Sequence, residues 1–224
     1  MIYDNIVEGI FLERINRFIA RVIINDHEVL VHVKNTGRCK ELFIAGAKVF
    51  LQKSNNPNRK TGYSLISIYK NNLLINIDSQ VPNAVVYEGI LDKKLDEFSE
   101  IITLKREVTY GNSRFDLYYE TPFHKGFIEV KGVTLERNGI ASFPDAPTER
   151  GKKHIMELIH ASKEGYTNYV FFLIQMDGIR KFVPNNETDP NFAEALMSAQ
   201  QLGVKVLLFN SKVDIYSIYL NERL

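Results

Sequence analysis

The hydrophobic period of this chain changes once, near Pro82, and that change limits its possible folds more than any other feature. Upstream, short runs rich in β-branched and aromatic residues (Phe18 to Ile24, Glu28 to Val33, Lys48 to Gln52, Tyr63 to Tyr69 and Leu73 to Ile77) are separated by turn compositions such as Asn25-Asp26 and Lys70-Asn71-Asn72. This is the pattern of strands and hairpins. Five strands in about 80 residues suit a small closed barrel, and a Greek-key barrel of the OB-like type is the leading candidate for residues 1–81.

Downstream, Val85, Val86, Ile90, Leu91 and Leu95 recur at helical spacing as far as about Phe98. Lys105 to Tyr110, a Gly111-Asn112 turn, Ser113 to Tyr119 and Phe127 to Lys131 read as a three-stranded meander. Asp145 to Pro147 opens a helix that stops at Gly165, and Asp189-Pro190 opens another that stops at Gly203. Asn168 to Met176 and Val204 to Phe209 are apolar runs of the kind buried on both faces of a sheet. Residues 82–224 thus read αβββαβαβ, a second domain of α/β class with a mixed sheet.

Charge separates the same two regions. Residues 1–81 hold 11 Lys and Arg against 7 Asp and Glu, whereas residues 82–224 hold 17 against 20, so the near-neutral total conceals a basic first domain. Such a surplus fits either an ordinary solvated surface or one facing phosphates. The single cysteine, Cys39, excludes an internal disulfide and a cysteine zinc site. No stretch has the length and apolarity of a membrane-spanning helix, and Asp4 and Glu8 stand where a secretory signal would be apolar. A cytoplasmic protein is expected.

Alternation in Phe127-Ile-Glu129-Val-Lys131 places Glu129 and Lys131 on one face of a strand. With Glu120 and Phe127 flanking the preceding loop, the antiparallel register pairs Asp116 with Lys131 and gathers Asp116, Glu129 and Lys131. Neighbouring carboxylates repel unless a cation lies between them, and Mg²⁺ or Mn²⁺ takes such oxygen ligands. A lysine beside them can orient water and stabilise charge on a phosphate, a set that suits metal-assisted phosphodiester hydrolysis. A solvent-facing strand edge gives the same Glu-x-Lys triplet. On the helix that follows, Arg150, His154 and Glu157 share one face, and Ile155, Leu158 and Ile159 form a separate apolar stripe.

The spacing from Asp116 to Glu129 and Lys131, with the predicted element order, resembles the PD-(D/E)XK nuclease superfamily. More specifically, Arg114-Phe-Asp116, Phe127-Ile-Glu-Val-Lys-Gly-Val-Thr134 and Phe143-Pro-Asp-Ala-Pro-Thr-Glu-Arg-Gly-Lys-Lys-His154 resemble the sugar fermentation stimulation protein A family. So do Asn35-Thr36-Gly37 and Val108-Thr-Tyr-Gly111, although Lys34 stands where many members have proline. The resemblance covers essentially the whole chain. It implies an N-terminal all-β OB-like barrel, a C-terminal α/β PD-(D/E)XK nuclease-like domain, and nucleic-acid binding. Carried onto this sequence, Asp116, Glu129 and Lys131 match the nuclease triad, and Arg150 and His154 match the family's helix motif. Glu88 is the candidate for the further acidic metal ligand that the superfamily's first helix often supplies.

The expected function is therefore a nuclease dependent on Mg²⁺ or Mn²⁺, with DNA or RNA as partner, no membrane, and a homodimer left open. Arg21, Arg38, Lys40, Arg59 and Lys60 are the candidate phosphate contacts, and Phe18, Phe43 and Tyr63 are candidate stacking platforms or barrel core. Two rivals stand beside it. One is a non-catalytic DNA-binding transcriptional regulator of sugar (maltose) metabolism on a nuclease scaffold. The other is a small-molecule metal hydrolase, which would have no need of a basic barrel.

Overall fold

The structure, a computed structural model, describes residues 1–35 and 37–224; Thr36 of the Asn35-Thr36-Gly37 turn lies outside the described residues. The N-terminal half contains β1 (Ile6–Arg14), β2 (Ile19–Ile24), β3 (His27–Val33), β4 (Lys48–Lys53), β5 (Tyr63–Lys70) and β6 (Leu73–Asn76). Strands run β3-β2-β1-β4-β5-β6, and parallel pairing of His32 with Ser64 and Val33 with Leu65 joins β3 to β5, closing five strands into a barrel. Strand β1 was not expected. It lies centrally between β2 and β4, and its irregular step between Phe11 and Glu13 spoils the simple alternation a strand reading relies on.

The second half contains α1 (Val81–Leu91), β7 (Thr103–Tyr110), β8 (Ser113–Glu120), β9 (Lys125–Val133), β10 (Leu135–Arg137), β11 (Ile140–Phe143), α2 (Glu149–Lys163), β12 (Tyr169–Ile174), β13 (Lys181–Pro184), α3 (Pro190–Gln201), β14 (Lys205–Val213) and β15 (Ile218–Arg223). Helix α1 is shorter than its apolar spacing suggests: Leu95 and Phe98 are buried from a separate 3₁₀ turn at Asp96–Phe98. Thr148 caps α2 by accepting from Gly151, and Asp189 caps α3 by accepting from Phe192, so both helix starts satisfy an otherwise unpaired amide.

The main sheet runs β15-β14-β12-β9-β8-β7, with β9, β12 and β14 parallel and the rest antiparallel. Strand β12 divides the interior cleanly. Val170, Phe172 and Ile174 pack with α2 and α3, while Phe171 and Leu173 pack with α1. A small sheet, β10-β11-β13, lies beside it. Among the described residues, no helix is long and apolar enough to cross a membrane.

Candidate active site

The site forms where β8 and β9 separate. Their ladder pairs Glu120 with Lys125 and ends at Leu117 with Ile128, so the register continues to place Asp116 opposite Glu129. The expected pairing of Asp116 with Lys131 is therefore wrong by two residues. The cause is the turn at Thr121–His124, which folds on itself through Thr121 N to the His124 carbonyl at 2.9 Å and lets β9 start at Lys125. A slip of two preserves the face, so the same side chains still meet.

Beyond Ile128 the Asp116 side chain replaces the ladder: its Oδ2 accepts from Val130 N at 2.8 Å, and its Oδ1 accepts from Asn83 Nδ2 at 2.7 Å. Alternation on β8 breaks at this point. Phe115 packs with the α2 side of the sheet and Leu117 with the α1 side, and Glu107, across from Asp116 on β7, has φ +56°.

Glu129 is almost wholly buried, and its Oε1 receives both Lys131 Nζ, at 2.5 Å, and His154 Nδ1 from α2. A carboxylate oxygen can only accept, so the proton in the second bond resides on Nδ1. Glu129 Oε2 is buried and has no partner among the described residues. Burial opposes ionisation of Glu129, but Lys131 and His154 outweigh it and hold the carboxyl below the usual carboxylate range. Asp116 is pushed the other way, up to about 6, first by burial and then by the Glu129 charge.

This is an incompletely compensated pair. An orphaned carboxylate oxygen beside a second carboxylate suits a hard divalent cation that keeps several waters. No group of three or more His, Cys, Asp or Glu side chains able to hold a metal occurs among the described residues, so protein side chains would supply few of the ligands.

The structure brings Asp116, Glu129, Lys131 and His154 together and leaves Glu88 out. Glu88 projects elsewhere on α1, where its carboxylate meets the Met1 amine at 2.6 Å. Asn83, in the first turn of α1, reaches Asp116 instead; its polarity and position after the helix start were the only sequence signals for it. Arg150 is exposed one turn before His154 and pairs with no carboxylate among the described residues.

Of the barrel cations, Arg21 is engaged by Glu13 at 3.3 Å and Glu28 at 3.2 Å. Lys40 and Lys60 are exposed, Arg38 lies at the junction with the second half, and Arg59 donates to Ser64 at 3.1 Å. Phe18 is 48% exposed, whereas Phe43 packs on Phe11 beneath the Arg14 guanidinium and Tyr63 packs against the barrel core.

Comparison with known proteins agrees with this architecture. Residues 12–77 match the family model described as the SfsA N-terminal OB domain, and residues 80–217 match the sugar fermentation stimulation protein RE domain. A sugar fermentation stimulation protein homolog of Alkaliphilus oremlandii is 53% identical over 100% of this chain and 97% of its own length. The Clostridium beijerinckii homolog is 53% identical over 99% of this chain and 97% of its own. The solved structure of Pyrococcus furiosus SfsA in complex with Ca²⁺ superposes with a TM-score of 0.91 at 28% identity, covering 100% of this chain and 96% of that one. The chain belongs to the sugar fermentation stimulation protein (SfsA) family, with an N-terminal OB barrel joined to a C-terminal α/β domain built on a mixed sheet.

Proposed function

We propose that this protein is a nuclease dependent on Mg²⁺ or Mn²⁺ that hydrolyses phosphodiester bonds in DNA or RNA. The observation that carries the reading is the unpartnered Glu129 Oε2, buried beside Asp116 on a strand that also supplies Lys131. The Pyrococcus furiosus relative was solved with Ca²⁺, which supports a divalent-cation site in the family.

Asp116 and Glu129 would hold the ion, which supplies Lewis acidity and a water of lowered pKa when bound. Asn83 and Val130 N fix the Asp116 carboxylate, and His154 fixes Glu129 through Oε1, leaving Oε2 without a partner among the described residues. Lys131 spends one ammonium hydrogen on Glu129 and retains others to orient water or meet a phosphate oxygen. Arg150 is placed to meet a flanking phosphate, and Arg38, Lys40, Arg59 and Lys60 supply the barrel's share of backbone contacts.

The rival reading, a non-catalytic DNA-binding regulator on the same scaffold, draws on the basic surplus of residues 1–81. It gives no reason to bury an incompletely compensated pair of carboxylates where phosphates must approach. Cleavage of labelled single- and double-stranded DNA and RNA with Mg²⁺, Mn²⁺ or EDTA separates the two. The nuclease reading expects metal-dependent cleavage that Glu129→Ala and Lys131→Ala both lose. Tight binding without cleavage under every condition would favour the regulator.

A further inference from the structure

A pocket of about 310 Å³ lies between the barrel and the second half, with Arg17 at one side and Thr134, Ser142, Pro144, Asp145 and Gln175 among its other walls. It is near the lower end of the roughly 300–1,000 Å³ typical of small-molecule sites. Gly132, which follows Lys131 on β9, also lines it, so the pocket borders the catalytic strand.

Its walls are fixed. Asp145 Oδ2 accepts from Arg38 N at 2.8 Å and Cys39 N at 3.4 Å, tying the barrel loop to the segment before α2. Arg14 braces the same loop by donating to the carbonyls of Asn35, Gly37 and Arg38, and ties it to the β1–β2 connection by donating to the Arg17 carbonyl. Gln175 is 1% exposed, and its Nε2 donates to the Asn76 carbonyl, Asn76 Oδ1 and the Asp78 carbonyl, which sets the amide plane. Its Oε1 accepts no hydrogen bond among the described residues and faces Gly132, where an added Cβ would lie 2.4 Å away. The pocket thus presents a locked, buried acceptor, a nearby carboxylate, hydroxyls and a proline wall, with the exposed guanidinium of Arg17 at its edge.

We propose that this pocket takes one nucleobase bearing an exocyclic amine, from a single nucleic-acid strand that passes between the barrel and the catalytic centre. The amine donates to Gln175 Oε1, the base lies against Pro144, and Arg17 meets the adjoining phosphate. This rests on the nuclease reading for its substrate class and adds to it a fixed base position next to the site of cleavage.

The test is fluorescence anisotropy of labelled oligo(dC), oligo(dA) and oligo(dT), each of about a dozen nucleotides, in EDTA so that cleavage plays no part. Wild type is expected to bind oligo(dC) and oligo(dA) about fivefold more tightly than oligo(dT), the value of roughly one hydrogen bond. Ser142→Leu, which fills the pocket, should erase that preference. Arg17→Ala, an exposed change that leaves folding intact, should weaken all three, while Glu129→Ala should keep the preference. Equal binding of all three by wild type, or a preference that survives Ser142→Leu with an unchanged melting temperature, overturns the proposal. Displacement of oligo(dC) by equimolar CMP would overturn the strand-borne form. A preference seen without cleavage under any metal condition would leave the pocket standing and remove the nuclease reading.

Discussion

Two buried glutamates, Glu129 and Glu136, lie seven residues apart and are treated in opposite ways. Glu136, on β10, accepts Lys70 Nζ from the barrel at 2.6 Å and Gly139 N at 2.5 Å, and the same ammonium also bonds the Glu136 carbonyl. Burial opposes its charge, but these partners hold its carboxyl below the usual range. Glu129 has Lys131 and His154 on one oxygen, no partner on the other among the described residues, and a carboxylate neighbour whose pKa is raised by burial and then by the Glu129 charge. A carboxylate whose oxygens are all answered joins two parts of a protein. One left short beside another carboxylate is a place for something else to bind.

The sharpest way to break this contrast is kinetic. Lys131→Ala should slow single-turnover cleavage by about 100-fold or more, whereas Glu136→Ala should leave the rate within a few-fold. A comparable loss in both would erase the distinction. Stability should show the reverse order. Glu136→Ala strands the Lys70 ammonium at the junction and is expected to cost about 2 kcal/mol in urea denaturation.

Asp116 supplies a test by pH. Its folded pKa, about 6, lies above the ordinary 3.8, so between those values the folded state binds more protons than the unfolded. Metal-free stability should therefore fall as pH rises through that window and level off above it. Asp116→Asn should flatten the slope and, in EDTA at pH 7 to 8, match or exceed the wild-type melting temperature. A wild-type stability that rises with pH across the window and is indifferent to Asp116→Asn would show that burial and the Glu129 charge do not raise the Asp116 pKa. The smallest effect belongs to the barrel surface. Charge reversal at Arg59 and Lys60 should weaken nucleic-acid binding several-fold and reduce the salt slope by about 2. Arg21→Ala, already paired with Glu13 and Glu28, should change affinity less than twofold.

What could be read from the sequence followed from local geometry. Alternation alone put Glu129 and Lys131 on one face, and Asp189-Pro190 and Asp145 to Pro147 marked the starts of α3 and α2 within a few residues. Asp116 was identified but mispaired, because register depends on how Thr121 and His124 fold the turn between β8 and β9. Glu88 carries the charge a metal ligand needs, yet Asn83, five residues earlier, faces the site; a difference of five residues is about 140° around a helix. Asp145 read only as part of a helix opening. Its role depends on amides 106 and 107 positions away, a pairing that no local pattern encodes.

The most direct measurement is calorimetric titration of Mn²⁺ into wild type, Glu129→Gln and Glu136→Gln. The account predicts saturable binding by wild type, near-wild-type binding by Glu136→Gln, and a loss of about tenfold or more in affinity for Glu129→Gln. Equal Mn²⁺ affinity in wild type and Glu129→Gln would contradict it.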